Sequence, residues 1–136
     1  MGSDVRDRLN GLSPMARVAN ESFAGMHLPS LHPEGTWFDR CDFSETDLRL
    51  ASFDRCFFRF CTFVRADLVG ASIRDARFAG CDFTDADLTN CDLTGSTFGF
   101  VNTGTPDGLT VMTGAILEGA ILKAVVTERV VGWHQA

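Results

Sequence analysis

The sequence predicts an all-β chain wound into four-sided coils, a quadrilateral β-helix of about five turns. Three observations lead there. A large apolar residue recurs at every fifth position, a small residue stands two places before each, and the large residues sort by type at a spacing of twenty. From Phe23 to Thr103, fifteen of the seventeen fifth residues are Phe, Leu or Ile, where a random phase would give about three or four. An α-helix does not explain this, because five residues advance ~500° and spiral around the axis. A flat strand does not either, since an odd step alternates between its faces. A backbone that turns a corner once per five residues puts every large residue inside.

From Thr36 to Ser96 the residue two before each large one is Ala, Ser, Thr or Cys, and all five cysteines lie in this slot. It reads as a second inward position, kept small so that the large residue can fill the middle. Asp precedes the large residue at Asp42, Asp47, Asp67, Asp82, Asp87 and Asp92. Gly follows it by two at Gly25, Gly35, Gly70, Gly80 and Gly95, where a corner would call for positive φ. Three-sided coils would stack residues fifteen apart and mix the types. Four-sided coils stack residues twenty apart, giving Phe23, Phe43, Phe63, Phe83 in one column and Leu28, Leu48, Leu68, Leu88 in the next. The others are Phe38, Phe58, Phe78, Phe98 and Pro33, Phe53, Ile73, Leu93. Four sides sort cleanly.

Segments such as Ala66-Asp67-Leu68-Val69-Gly70, Cys81-Asp82-Phe83-Thr84-Asp85 and Ala86-Asp87-Leu88-Thr89-Asn90 resemble the A(D/N)LXX motif of pentapeptide-repeat proteins. The resemblance runs through residues 21–105 and resumes after a break. It implies a right-handed coil and a protein that works by binding. Some members of that family are similar to a B-DNA duplex in width and charge. They occupy the DNA saddle of type II topoisomerases such as DNA gyrase and protect them from quinolones or other poisons.

The repeat divides the chain into three parts. Residues 1–20 carry no repeat and are expected to cap the first coil; Ser13-Pro14 reads as a helix start, placing a short helix over Met15–Asn20, and Val5, Leu9 and Leu12 also have helical spacing. Residues 21–124 form the rod, with a turn at 104–109 where Pro106-Asp107-Gly108-Leu109 takes the place of one side. Three further copies, centred on Met112, Leu117 and Leu122, follow with their phase offset by one. Residues 125–136, holding Val125, Val126, Val130, Val131 and Trp133, are expected to cap the last coil or to associate with a second copy.

With 136 residues, 45% hydrophobic and 22% charged, the chain suits one folded domain. Its formal charge of −6 gives no electrostatic reason to bind DNA, RNA or an anionic membrane directly. No apolar run approaches the ~20 residues of a membrane helix, and no basic-then-apolar leader is evident, so a cytoplasmic location with reduced thiols is expected. Twelve Phe and no Tyr indicate dry stacking.

Catalytic motifs are absent: there is no G-x-S-x-G, no phosphate loop and no zinc-type spacing, so no catalytic residue, cofactor or metal is expected. Cys41, Cys61 and Cys81 share a column but read as buried fillers. Two outward faces carry the binding expectation instead. One is an acidic column of Asp47, Asp67 and Asp87, with Asp42 and Asp82 on the neighbouring side; the alternative is that each Asp only bonds to its own turn. The other is an aromatic face of Trp37, Phe57, Phe60 and Phe100, suited to scaffolding or homodimer contacts unless a terminal segment covers it. The expected partner is a protein. A third possibility is a small accessory enzyme or small-molecule binder, sited between cap and rod, with His27, His32 and His134 as its only near-neutral acid–base groups.

Overall fold

The computed structural model describes residues 2–133. Helix α1 (Gly2–Asn10) is followed by six short strands: β1 (Arg17–Ala19), β2 (Trp37–Asp39), β3 (Phe57–Arg59), β4 (Arg77–Ala79), β5 (Thr97–Gly99) and β6 (Val126–Thr127). They pair parallel in sequence order, with Val18, Phe38, Phe58, Phe78 and Phe98 opposite one another. The other three sides are held by single-residue parallel bridges, such as Asp42↔Thr62↔Asp82, Asp47↔Asp67↔Asp87 and Ser52↔Ser72↔Asp92. The result is a four-sided β-solenoid.

Most corners are four-residue turns closed onto the carbonyl of the inward residue; those after Phe38, Phe58, Ile73 and Phe78 bend without that bond. The Phe43 carbonyl accepts the Thr46 N–H at 3.3 Å and the Leu48 carbonyl accepts the Ala51 N–H at 3.1 Å. The third residue of the turn has positive φ, whether it is Glu45 (55°), Phe60 (53°) or Gly80 (68°). Positive φ alone does not demand glycine at these corners, but at Gly80 a Cβ would lie 2.9 Å from the Phe60 ring, and this contact favours glycine.

The interior is two phenylalanine ladders. Phe38, Phe58, Phe78 and Phe98 stack with centroids 4.8–5.1 Å apart, and Phe43, Phe63 and Phe83 do the same at 4.8–5.1 Å. Rings of one ladder meet those of the other edge-on, as Phe58 meets Phe63 at 5.1 Å and 75°. The small slot has chemistry as well as size. Its thiols and hydroxyls donate to carbonyls of the preceding coil: Cys56 to Pro33 (3.2 Å), Cys91 to Leu68 (2.9 Å), Thr46 to Phe23 (2.9 Å). Thr36 is the exception, with a buried hydroxyl that finds no partner among the described residues.

The ends differ from expectation. The helix lies over Gly2–Asn10, where Val5 and Leu9 point at the rod, and residues 15–20 are not helical. Pro14 and Met15 instead form a corner, with Met15 at φ 67°, and Val18 is buried as the first rung of the Phe38 column. The rod therefore begins before residue 21. Arg6 Nη1 donates to the Pro29 carbonyl at 2.5 Å, and Asn10 Oδ1 accepts the His32 N–H at 2.8 Å; both tie the helix to the first coil.

The turn at 104–109 does not replace a side. It belongs to an excursion that leaves after Phe100 and returns at Leu109, which pair antiparallel, so that Asp82 bridges Val111 and the register steps by 29 between Cys81 and Thr110. The regular stack is thus about four turns of twenty residues, not five, followed by one enlarged passage. Residues 125–131 are not a separate tail either: β6 pairs with β5, and Val131 bridges Val111. Trp133 packs on the end of the Phe38 column, its ring 5.5 Å from that of Phe98.

Two stability predictions follow from this interior. Phe58→Ala opens a gap between stacked rings and should cost about 3–5 kcal/mol in chemical denaturation. Thr46→Val should cost about 1 kcal/mol by deleting a buried hydrogen bond, whereas Thr36→Val, which removes an unpaired hydroxyl, should be neutral or stabilising.

Candidate binding surfaces

On the acidic side, Asp47, Asp67 and Asp87 occupy successive rungs, and Asp42 and Asp82 stand on the adjacent side with Thr62 between them. Each carboxylate turns one oxygen back onto its corner. Oδ1 accepts the N–H two residues on: Asp42 from Ser44 (2.8 Å), Asp67 from Val69 (3.2 Å), Asp82 from Thr84 (2.9 Å) and Asp87 from Thr89 (3.0 Å). These Asx turns explain why Asp recurs in the motif. They also fix the carboxylates in space while leaving their negative charge on the surface.

The charge is uneven along the column. Arg49 grips Asp47 with Nε at 2.9 Å and Nη2 at 2.8 Å, and His27 Nδ1 lies 2.8 Å from the same carboxylate. Arg49 reaches Asp67 less closely, at 3.8 Å. Among the described residues no basic group stands within ion-pairing distance of Asp42, Asp82 or Asp87. The Arg49 hydrogen bonds hold the Asp47 carboxyl down to about 2.

The aromatic residues all lie on the β-strand side and its corner. Trp37 is 44% exposed and meets Phe57 edge-on at 5.1 Å, while Phe57, Phe60 and Phe100 are half-buried. Arginines cover them: Arg77 lies over Phe57 at 5.5 Å, Arg40 and Arg59 over Phe60 at 4.9 and 5.1 Å, and Arg129 over Phe100 at 4.8 Å. Asp39, buried beneath them, pairs with Arg17 at 2.6 Å and Arg40 at 3.3 Å. This side is therefore cationic as well as aromatic. A column counted from Phe23 misses Arg17, and apolar periodicity is blind to Asp39 and Arg59, which follow the inward residue. Arg129 escapes because it sits beyond the register break.

The five cysteines are buried and unpaired. Burial pushes the Cys56 and Cys91 thiols up to about 12, which leaves them protonated and inert. His27 is held by Asp47 and His32 by its backbone bond to Asn10; His134 lies outside the described residues. Among the described residues, no three His, Cys, Asp or Glu side chains converge as a metal site would need.

Asp47 generates a pH prediction. Its carboxyl is depressed below the usual ~3.9, so it contributes stability that is present above about pH 4 and lost as pH falls toward 2. The acid-induced fall in Tm across that window should be smaller in Asp47→Asn than in the parent, as followed by circular dichroism.

Comparison with known proteins agrees with this architecture. The pentapeptide repeat region family model matches residues 35–105, over half of the chain. Among solved structures, the pentapeptide repeat protein Rfr23 from the cyanobacterium Cyanothece 51142 superposes with a TM-score of 0.50 at 17% identity, covering 89% of this chain and 86% of that one. QnrB1, a plasmid-mediated fluoroquinolone resistance protein, gives a TM-score of 0.46 at 16% identity, over 78% of this chain and 69% of its own. HetL from Nostoc sp. strain PCC 7120, a pentapeptide repeat protein involved in heterocyst differentiation regulation, gives 0.35 at 16% identity, over 93% and 94%. No curated protein matches the chain significantly. With the repeat model spanning more than half its length and the square solenoid in place, the chain belongs to the pentapeptide-repeat family.

Proposed function

We propose that this is a non-catalytic binding protein whose acidic side docks on the basic, DNA-contacting surface of another protein, with a type II topoisomerase such as DNA gyrase as the candidate partner. The observation that carries the reading is the array of turn-locked carboxylates. Asp67, Asp82 and Asp87 keep their charge outward at fixed positions, on rungs ~4.8 Å apart. A partner that normally holds phosphates would meet a rigid anionic surface and lose little side-chain entropy from this protein on binding. Steering by such an array weakens with salt.

A second reading, self-association, rests on the last coil. There Ile116, Ile121, Val126 and Val131 stand 43–51% exposed, paired with Asp87, Asp92, Thr97 and Val111 of the coil before. The backbone N–H groups of Leu117 and Leu122 make no hydrogen bond among the described residues. An open coil with an apolar rim suits end-to-end stacking on a second copy.

The protein should inhibit gyrase supercoiling, and the triple Asp67→Asn, Asp82→Asn, Asp87→Asn variant should need at least about tenfold more protein for the same inhibition. Unchanged supercoiling at high micromolar protein sinks the proposal. For self-association, light scattering should report a dimer that Ile121→Glu converts to monomer; a monomeric parent at high micromolar concentration rules it out.

A further inference from the structure

The β-strand side holds a groove that the acidic reading does not use. Its volume is about 410 Å³, within the range of small-ligand sites. Phe57 and Arg77 line one side and Phe100 with Asn102 of the excursion the other; Arg59 stands at one end of the floor column and Glu128 at the other. The floor is low because two rungs carry almost no side chain where their neighbours carry long ones. In the position after the inward residue, the strands read Asp39, Arg59, Ala79, Gly99 and Glu128.

Gly99 is the informative residue. Its φ is not positive, and a Cβ built there would meet nothing closer than 3.9 Å. Neither backbone geometry nor packing calls for glycine, and glycine in a strand interior weakens it. What its missing side chain does is keep the groove clear beside the Glu128 carboxylate, whose Oε1 would lie 3.9 Å from a Cβ, as would the Phe78 carbonyl oxygen.

The charges lining the groove are unmatched in a complementary way. Arg77 has its guanidinium over Phe57 and no carboxylate within ion-pairing distance among the described residues, and Glu128 likewise has no basic partner there. A guanidinium held by its face keeps its N–H edge free for the two oxygens of a carboxylate. Five of the eleven arginines (Arg17, Arg40, Arg59, Arg77 and Arg129) gather on this one side of a chain whose net charge is −6. The chain has a single lysine, so its positive charge is almost wholly of the planar kind.

We infer that this groove binds a short acidic peptide segment of a partner protein, with a side-chain carboxylate on Arg77, a peptide N–H on Glu128, and an apolar side chain over Gly99 between Phe57 and Phe100. A nucleic acid fits less well. Its phosphates would continue past Arg77 onto Glu128, and the flanking carboxylates of this acidic protein would repel the rest of the strand. A peptide presents its one or two charges locally and supplies the N–H donor that Glu128 lacks. This site lies on a different face from Asp67, Asp82 and Asp87, so the two proposals fail independently.

The test is a titration of the full-length protein with a capped tetrapeptide of alternating glutamate and phenylalanine, its glutamine counterpart, and a twelve-nucleotide oligothymidylate. Binding is read from the Gly99 amide and Arg77 Nε–H resonances. The glutamate peptide should shift both saturably and bind at least tenfold tighter than the glutamine peptide. Gly99→Leu, which fills the groove, and Arg77→Gln, which removes the fork, should each weaken it at least tenfold, with Tm confirming that the variants fold. If Gly99→Leu does not fold, Arg77→Gln alone decides. No shift at millimolar peptide, equal binding of the glutamine peptide, indifference to Arg77→Gln, or tighter binding of the oligothymidylate at the same resonances would each overturn the inference.

Discussion

The structure depends on a coincidence of two lengths. Hydrogen-bonded strands lie ~4.8 Å apart, and face-stacked rings here sit 4.8–5.1 Å apart. A Phe carried on every coil at the same register therefore stacks on its neighbours without bending the sheet to reach them. Tyrosine in these columns would bury a hydroxyl with no acceptor aimed at it, at a cost of a few kcal/mol; phenylalanine carries no such group. The corners obey the same constraint. Each must turn within five residues, and the chain accepts positive φ even at Arg40, Leu50 and Phe60 to do so. Packing gains on every rung outweigh that local strain, which is why so many non-glycine corners persist.

Because the interior is decided by the inward and small positions, the outward positions answer to little else. They divide by side. Where the corner needs a local acceptor, Asp satisfies the N–H two residues on, and the by-product is a line of surface carboxylates. Where the strands are regular enough to pair for three residues, no such acceptor is needed, and the positions are taken by Trp37, Phe57, Arg59 and Arg77. One backbone thus presents an anionic side and a cationic, aromatic side, each spaced by the same ladder. Excess acid on the first accounts for the net charge; Asp39, buried among arginines, keeps the second from repelling itself.

The rod was legible in the sequence because its period is a packing requirement repeated many times. The ends were not, because there each signal occurs once. Ser13-Pro14 reads as a helix start, yet Pro14 occupies a corner, a position that fixes φ equally well for either structure. Val18 is a rung like Phe38, but a single valine before the first phenylalanine carries no periodicity. The excursion is invisible in the sequence for an arithmetic reason. An insertion of nine residues and a deletion of one leave a five-residue pattern in the same phase, so Met112, Leu117 and Leu122 fit either reading, and the bridges Asp82↔Val111, Asp87↔Ile116 and Asp92↔Ile121 separate them. The acidic and aromatic residues fell on the sides their columns assigned. Column counting also puts Arg40 and Arg77 on the aromatic side, but not their stacking on its rings, nor Arg59, Arg129 and the glycine that hollows the groove, since apolar periodicity says nothing about what an outward residue leans on.

Both faces owe their binding potential to rigidity acquired in folding. An Asp fixed by a turn N–H and an arginine laid flat on a ring have already given up much of the side-chain freedom that a partner would otherwise have to restrict. A solenoid extends this ordering across several rungs, because each coil is held by the one below and the one above. The last coil lacks a neighbour above, and there the pattern changes. Carboxylates give way to Ile116 and Ile121, and Leu122 is only partly buried. On the side that carries Asp47, Asp67 and Asp87, the outward column thus ends in Ile116, on the coil whose Leu117 N–H is left without a partner among the described residues.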